Sequence, residues 1–140
     1  GNPFMSNSLI SCVVEVELDT YTYNEKLRGI WITIDCGEIL DEAAAVRTVK
    51  LEVQKELSML VKGKNVSCDD ISITFFASKN KAGQLGELVH NALPAAFASA
   101  LSVALATQVT KLPCTEANLF RLIKARGESN TTEEKGVETL

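Results

Sequence analysis

Apolar and polar positions first alternate with the two-residue period of an extended strand. From Leu9 to Leu18, Ile10, Cys12, Val14, Val16 and Leu18 fall on one face, with Ser11, Glu15 and Glu17 on the other. A polar connection from Asp19 to Lys26, rich in Thr, Tyr and Asn, leads to a second alternation. There Ile30, Ile32 and Ile34 oppose Trp31, Thr33 and Asp35. The pair predicts an antiparallel hairpin with a long loop. The period then lengthens. Val46, Val49, Val53, Leu57 and Leu60 recur at three- and four-residue intervals across Glu42 to Lys62, and Arg47, Lys50, Glu52, Lys55 and Glu56 fill much of the polar remainder. This is an amphipathic helix with one buried stripe, capped by Asp41 and stopped by Gly63.

A third strand is expected over about Asp70 to Ser78, where Ile71, Ile73 and Phe75 alternate with Ser72, Thr74 and Phe76. Lys79 to Gly86 reads as a mobile loop. From about Asn91 to Thr107 nearly every residue is Ala, Leu, Val, Phe or Ser, so the helix there needs cover on several sides. Its length and the presence of Ser99 and Ser102 favour a core helix over a membrane span. Pro113 interrupts the chain, and Thr115-Glu116 opens a short last helix carrying Leu119, Leu122 and Ile123.

These elements predict an α+β fold in the order β-β-α-β-α-α: a small antiparallel or mixed three-stranded sheet with two main helices on one face. Residues 1–8 are read as a tag scar and disordered start, 9–126 as a single domain, and 127–140, polar and acidic, as a disordered tail. Trp31 and Phe76 point away from the main apolar rows, so the second sheet face is expected to lie open.

Composition narrows the function classes. The chain has 140 residues, 46% hydrophobic and 23% charged, so a packed core forms. Its net charge of −4 argues against nucleic acid or an anionic membrane as partner. Cys12, Cys36, Cys68 and Cys114 are widely spaced, with no Cys-x-x-Cys pair and one histidine, His90, so no metal site is signalled. Without a signal-peptide pattern the expectation is reduced thiols in a cytoplasmic protein.

Chemistry-bearing residues are few. Gly83-Gln84-Leu85-Gly86-Glu87 joins the glycine-containing loop to the apolar helix and puts one carboxylate near a helix N-terminus. Glu87 either complements the helix dipole or serves as a base at the edge of a pocket. His90 stands one helical turn further on, alongside Glu87, as a packing residue or a partner to that base. The Asp35-Cys36-Gly37 corner is either a plain strand end or a functional one.

Taken in order, Glu15-Val16-Glu17-Leu18-Asp19, Ile34-Asp35-Cys36-Gly37, Asp70-Ile71-Ser72-Ile73, Gly86-Glu87, Leu93-Pro94-Ala95 and Leu112-Pro113-Cys114-Thr115 form a recognisable series. They resemble the C-terminal part of the molybdopterin-binding subunit of the xanthine dehydrogenase and aldehyde oxidase family, over roughly Leu9 to Lys124. The resemblance implies molybdenum hydroxylation of an aldehyde or N-heterocycle. In that chemistry a glutamate deprotonates a metal-bound hydroxyl, and Glu87 falls on that general base. Gly86, Gln84, Asp35, Cys36 and Gly37 fall on cofactor-side positions, with no protein ligand to a metal among them.

The chain also departs from the family pattern. Leu88 replaces the proline after the glutamate, Gln84 replaces a small residue, and Asp41-Glu42 stands where the family often has Asn-Pro. Gly63 to Asp69 is shorter than the corresponding segment, and 140 residues do not enclose such a cofactor alone. Two functions are therefore expected. One is a partial molybdopterin-binding domain of an oxidoreductase, which holds molybdopterin only when a larger subunit completes it. The other is a non-catalytic interaction or assembly domain that keeps the fold. Both imply association, as a homodimer or with a larger molybdopterin subunit.

Overall fold

The computed structural model describes residues 8–61, 70–76, 78–79, 83 and 85–137, with side chains in the last helix followed to residue 127. The elements run β1 (Leu9–Asp19), β2 (Asn24–Asp35), α1 (Glu42–Leu60), β3 (Ile71–Phe75), α2 (Gly86–Leu105) and α3 (Glu116–Val137). The expected α+β order holds. The sheet is mixed, in order β1-β2-β3, with β1 antiparallel and β3 parallel to β2. The parallel pair requires a crossover, and α1 supplies it.

Alternation sets which sheet face is buried. Ile30, Ile32 and Ile34 of the central strand are at most 1% exposed, and the helices cover the face they share with Val14 and Ile71. On that cover α2 lays Val89, Leu93, Phe97, Leu101 and Leu105, one residue every four, and α1 adds Val49, Val53, Leu57 and Leu60. The opposite face keeps Val13, Trp31 and Phe76 exposed, as the alternation requires. Glu15 pairs with Gly29 and Val16 with Leu27, so Arg28 is an extra residue on β2, and its guanidinium reaches Glu17 on β1. Beside that bulge the Trp31 indole lies over Gly29. A Cβ on Gly29 would come within 2.6 Å of the ring, so any side chain there would displace the indole from its seat.

Several boundaries differ from the sequence expectation. The hairpin connection is short rather than long. Asp19 Oδ1 accepts from the backbone N–H of Tyr21 and Thr22, and the chain turns within four residues through Tyr23 in the left-handed region (φ 55°). Helix α1 has its expected cap, the Asp41 carboxylate accepting from Ala44 N–H at 3.0 Å, and closes at Leu60; Gly63 lies outside the described residues. The third strand is five residues long, and Phe76 N–H continues its ladder to the Ile34 carbonyl. Within the expected mobile loop, residues 80–82 and 84 also lie outside the described ones.

Helix α2 begins at Gly86, five residues before the apolar run, and keeps Pro94 inside it. Proline removes one backbone donor, but burial of the Val89–Leu105 row outweighs that local loss. The helix is long and apolar enough to cross a membrane by length and composition, yet its buried row forms the core of this domain. Ser102 closes it, donating to the Ala98 carbonyl and accepting from Val109 N–H at 2.9 Å. The last helix continues to Val137, past Gly127, where the polar composition predicted disorder. Few apolar residues follow Ile123, but no proline does either, and Glu and Lys are good helix formers. Phe120 ties this helix to the hairpin through an edge-on contact with Tyr23, ring centroids 5.1 Å apart.

Candidate functional site

The end of β2 and the start of α2 meet at one corner of the domain. Gly37 turns the chain with φ 83°, a conformation that favours glycine, and its N–H donates to Asp35 Oδ1 at 3.2 Å. Cys36 is buried there. From the segment ahead of α2, Gly83 N–H donates to the Cys36 carbonyl at 2.7 Å. A Cβ on Gly83 would fall 2.0 Å from Ser8 Oγ, so a side chain at residue 83 would have to displace the Ser8 hydroxyl packed beside it. Asp35, Cys36, Gly37 and the glycine segment before Glu87 are thus brought together. Gln84 lies outside the described residues.

Burial pushes the Cys36 thiol above its ordinary value, and the neighbouring Asp35 carboxylate pushes it further the same way. The thiol is therefore protonated and unreactive near neutral pH. Asp35 forms the turn here, its Oδ1 accepting from the Gly37 N–H. The useful chemistry at the corner falls to Glu87. Its carboxylate is exposed in the first turn of α2, and no described residue engages it.

His90 does not turn to Glu87. Its Nδ1 lies 2.7 Å from Glu56 Oε1 on α1, where the imidazole N–H donates to the carboxylate. Glu56 is 3% exposed, although charge alone places it among the polar remainder of α1. Its spacing was the available signal: Val53, Glu56 and Leu60 fall on one stripe, and the chain has a single histidine to answer a buried acid. Glu52, one turn before Glu56, borders Gly86, where a Cβ would stand 3.7 Å from its carboxyl carbon. The start of α2 is therefore docked on α1 by a polar contact, with Glu87 facing away from it.

A cavity of about 320 Å³ opens beside the corner, bounded by Gly37, Glu38, Ile39, Glu42, Phe75 and Phe76. Among the described residues, two carboxylates and no lysine or arginine line it. No group of three or more His, Cys, Asp or Glu that could hold a metal ion occurs among the described residues. These residues do not by themselves fit an anionic, metal-bearing cofactor.

No family model and no curated protein sequence matches this chain. Among solved structures, the chain is similar to quinoline 2-oxidoreductase from Pseudomonas putida 86, at 18% identity and a TM-score of 0.64. The match covers 78% of this chain and 18% of that one, so the present chain spans less than a fifth of the length of the chain it matches. At that identity the likeness establishes a shared fold.

Proposed function

We propose that this chain is a partial molybdopterin-binding domain of an oxidoreductase resembling xanthine dehydrogenase and aldehyde oxidase, supplying one wall and one base to a site completed by a larger subunit. The observation that carries the reading is the convergence of Asp35-Cys36-Gly37 with the glycine segment that precedes Glu87, in a fold shared with part of an enzyme named for an N-heterocycle. The poor fit of the local residues to an anionic cofactor puts the cofactor contacts on the partner. Glu87 then has one task, to take a proton at its exposed carboxylate. In this reading Gly37, on the wall of the corner cavity, keeps the partner's approach free of a side chain.

The test is twofold. Molybdenum and pterin should be present in stoichiometric amount in the complex that the chain forms in its native cells, together with a large subunit. In the reconstituted complex, Glu87→Gln should abolish turnover and leave subunit binding intact. A second reading, an assembly domain that keeps the fold only, draws on the acidic lining of the corner cavity and on Leu88 following Glu87. An intact complex free of molybdenum and pterin would replace the first reading by the second.

A further inference from the structure

We infer that the free edge of β1 and the small-residue flank of α2 form the interface of a homodimer, in which two copies join their sheets across a two-fold axis. Among the described residues β1 is a terminal strand of the sheet, paired with β2 alone. It is 11 residues long and contains no proline and no lysine, and the extra residue at the bulge belongs to β2, not to β1. Proline, lysine and a bulge of its own, three devices that blunt an edge strand, are therefore missing along a row about 36 Å long, and the charges it does carry are confined to one half. Beside this edge runs a groove of about 450 Å³, floored by Cys12 to Val16 and walled by Ala96, Ser99, Ala100, Val103 and Ala104 of α2. Val103 is 81% exposed on that wall.

Charge selects the occupant. The three acids of β1, Glu15, Glu17 and Asp19, are gathered in its C-terminal half. An antiparallel pair of β1 strands centred on Val14 sets them opposite Val13, Ser11 and Leu9 of the other copy, so no carboxylate faces another. The same register matches the inner rows, with Ile10 opposite Leu18, Cys12 opposite Val16, and Val14 opposite itself. Covering Val14 and Val16 in this way extends one apolar layer through both copies. The α2 helices then approach along Ala96, Ser99, Ala100 and Ala104, whose small side chains let helix axes come near the lower end of the usual 8–10 Å spacing. An isologous contact needs one self-complementary patch, and this edge has both a sheet and a helix component.

The inference stands independently of the oxidoreductase reading. Sedimentation equilibrium of the isolated chain should give twice 15.2 kDa. Val103→Lys, which puts a charge in the apolar contact, and Val13→Glu, which sets a carboxylate opposite Glu15 of the other copy, are both at exposed positions and should each weaken dimerisation roughly tenfold or more. Trp31→Lys, on the open sheet face, should leave it unchanged. Far-UV circular dichroism checks that each variant is folded. A folded wild-type chain that stays monomeric at ~100 μM would overturn the inference. So would a dimer dispersed by Trp31→Lys and untouched by Val103→Lys.

Discussion

Helix α2 carries one backbone through two different surroundings. Its first turn holds Gly86, Glu87 and His90 at a corner where two loops meet, and a polar contact to Glu56 docks it on α1. Its second half presents Ala96, Ser99, Ala100, Val103 and Ala104 beside a strand edge, with no titratable side chain among them. The buried row from Val89 to Leu105 links the two and gives neither a distinct chemistry. Burial fixes where the helix lies; what each end offers is decided by the residues that the row leaves exposed. Chemistry gathers at the N-terminal end, where polar groups and the helix dipole coincide. The other end presents small, uncharged side chains beside a strand edge, the surface on which the inferred dimer rests.

Breaking the shared row should abolish the distinction altogether. Phe97 is 1% exposed at the middle of the helix and is the largest fully buried side chain. Phe97→Ala should cost about 3–5 kcal/mol through lost transfer energy and the cavity left behind. Urea unfolding measures it, and a loss below about 1 kcal/mol would mean that α2 is not integral to the core. Next in size is the polar contact at the N-terminal end. His90→Ala leaves the buried Glu56 carboxylate without its imidazole and should cost about 1–3 kcal/mol. Adding Glu56→Leu to that variant should recover most of the loss, because a buried apolar group needs no partner. Failure of the double variant to recover would mean that the stripe cannot accept leucine and that Glu56 is held for its shape.

The second half of α2 is sharpened by Cys12, on the floor of the strand-edge groove. Burial pushes its thiol up to about 11 from the ordinary 9.0. Between those two values the unfolded chain has lost its proton and the folded chain keeps it. Unfolding therefore releases protons, and stability falls as pH rises through that window. Denaturation midpoints taken from neutral pH upward should decline above about pH 9, less steeply in Cys12→Ala. Identical slopes in the two proteins would remove Cys12 as the cause. Cys36 and Cys114, also raised by burial, contribute in the same direction, so the slope in Cys12→Ala should shrink rather than vanish.

Much of this architecture is legible in the sequence because burial is periodic. The alternation through Ile30, Ile32 and Ile34 identifies the buried sheet face, and the α1 stripe, the Asp41 cap and the element order follow from equally local rules. Boundaries set by tertiary contact are harder to read. The start of α2 lies five residues earlier than its apolar run because the polar turn from Gly86 to His90 is docked on α1 by Glu56. At the candidate site, Glu87, Gly86 and the Asp35-Cys36-Gly37 corner are recognisable as short motifs. Their meeting is not, since it depends on a single hydrogen bond between residues 36 and 83, far apart in the chain. Glu56 was hidden for the opposite reason: its charge places it with the surface, while its spacing places it in the core.

The smallest effect bears most directly on the two ends. Glu87 sits in the first turn of α2, where a negative charge gains about 0.3–1 kcal/mol from the helix dipole. Nothing else described in the fold uses its carboxylate. Glu87→Gln keeps the shape, removes the charge, and should lower stability by no more than that amount in a urea titration. A residue whose removal hardly affects folding, yet which occupies a fixed place at a glycine-lined corner, is available for a reaction or a partner. A loss well above 1 kcal/mol would assign Glu87 to the scaffold. The N-terminal end of α2 would then differ from its far end in polarity alone, and the case for a base at this corner would fall with it.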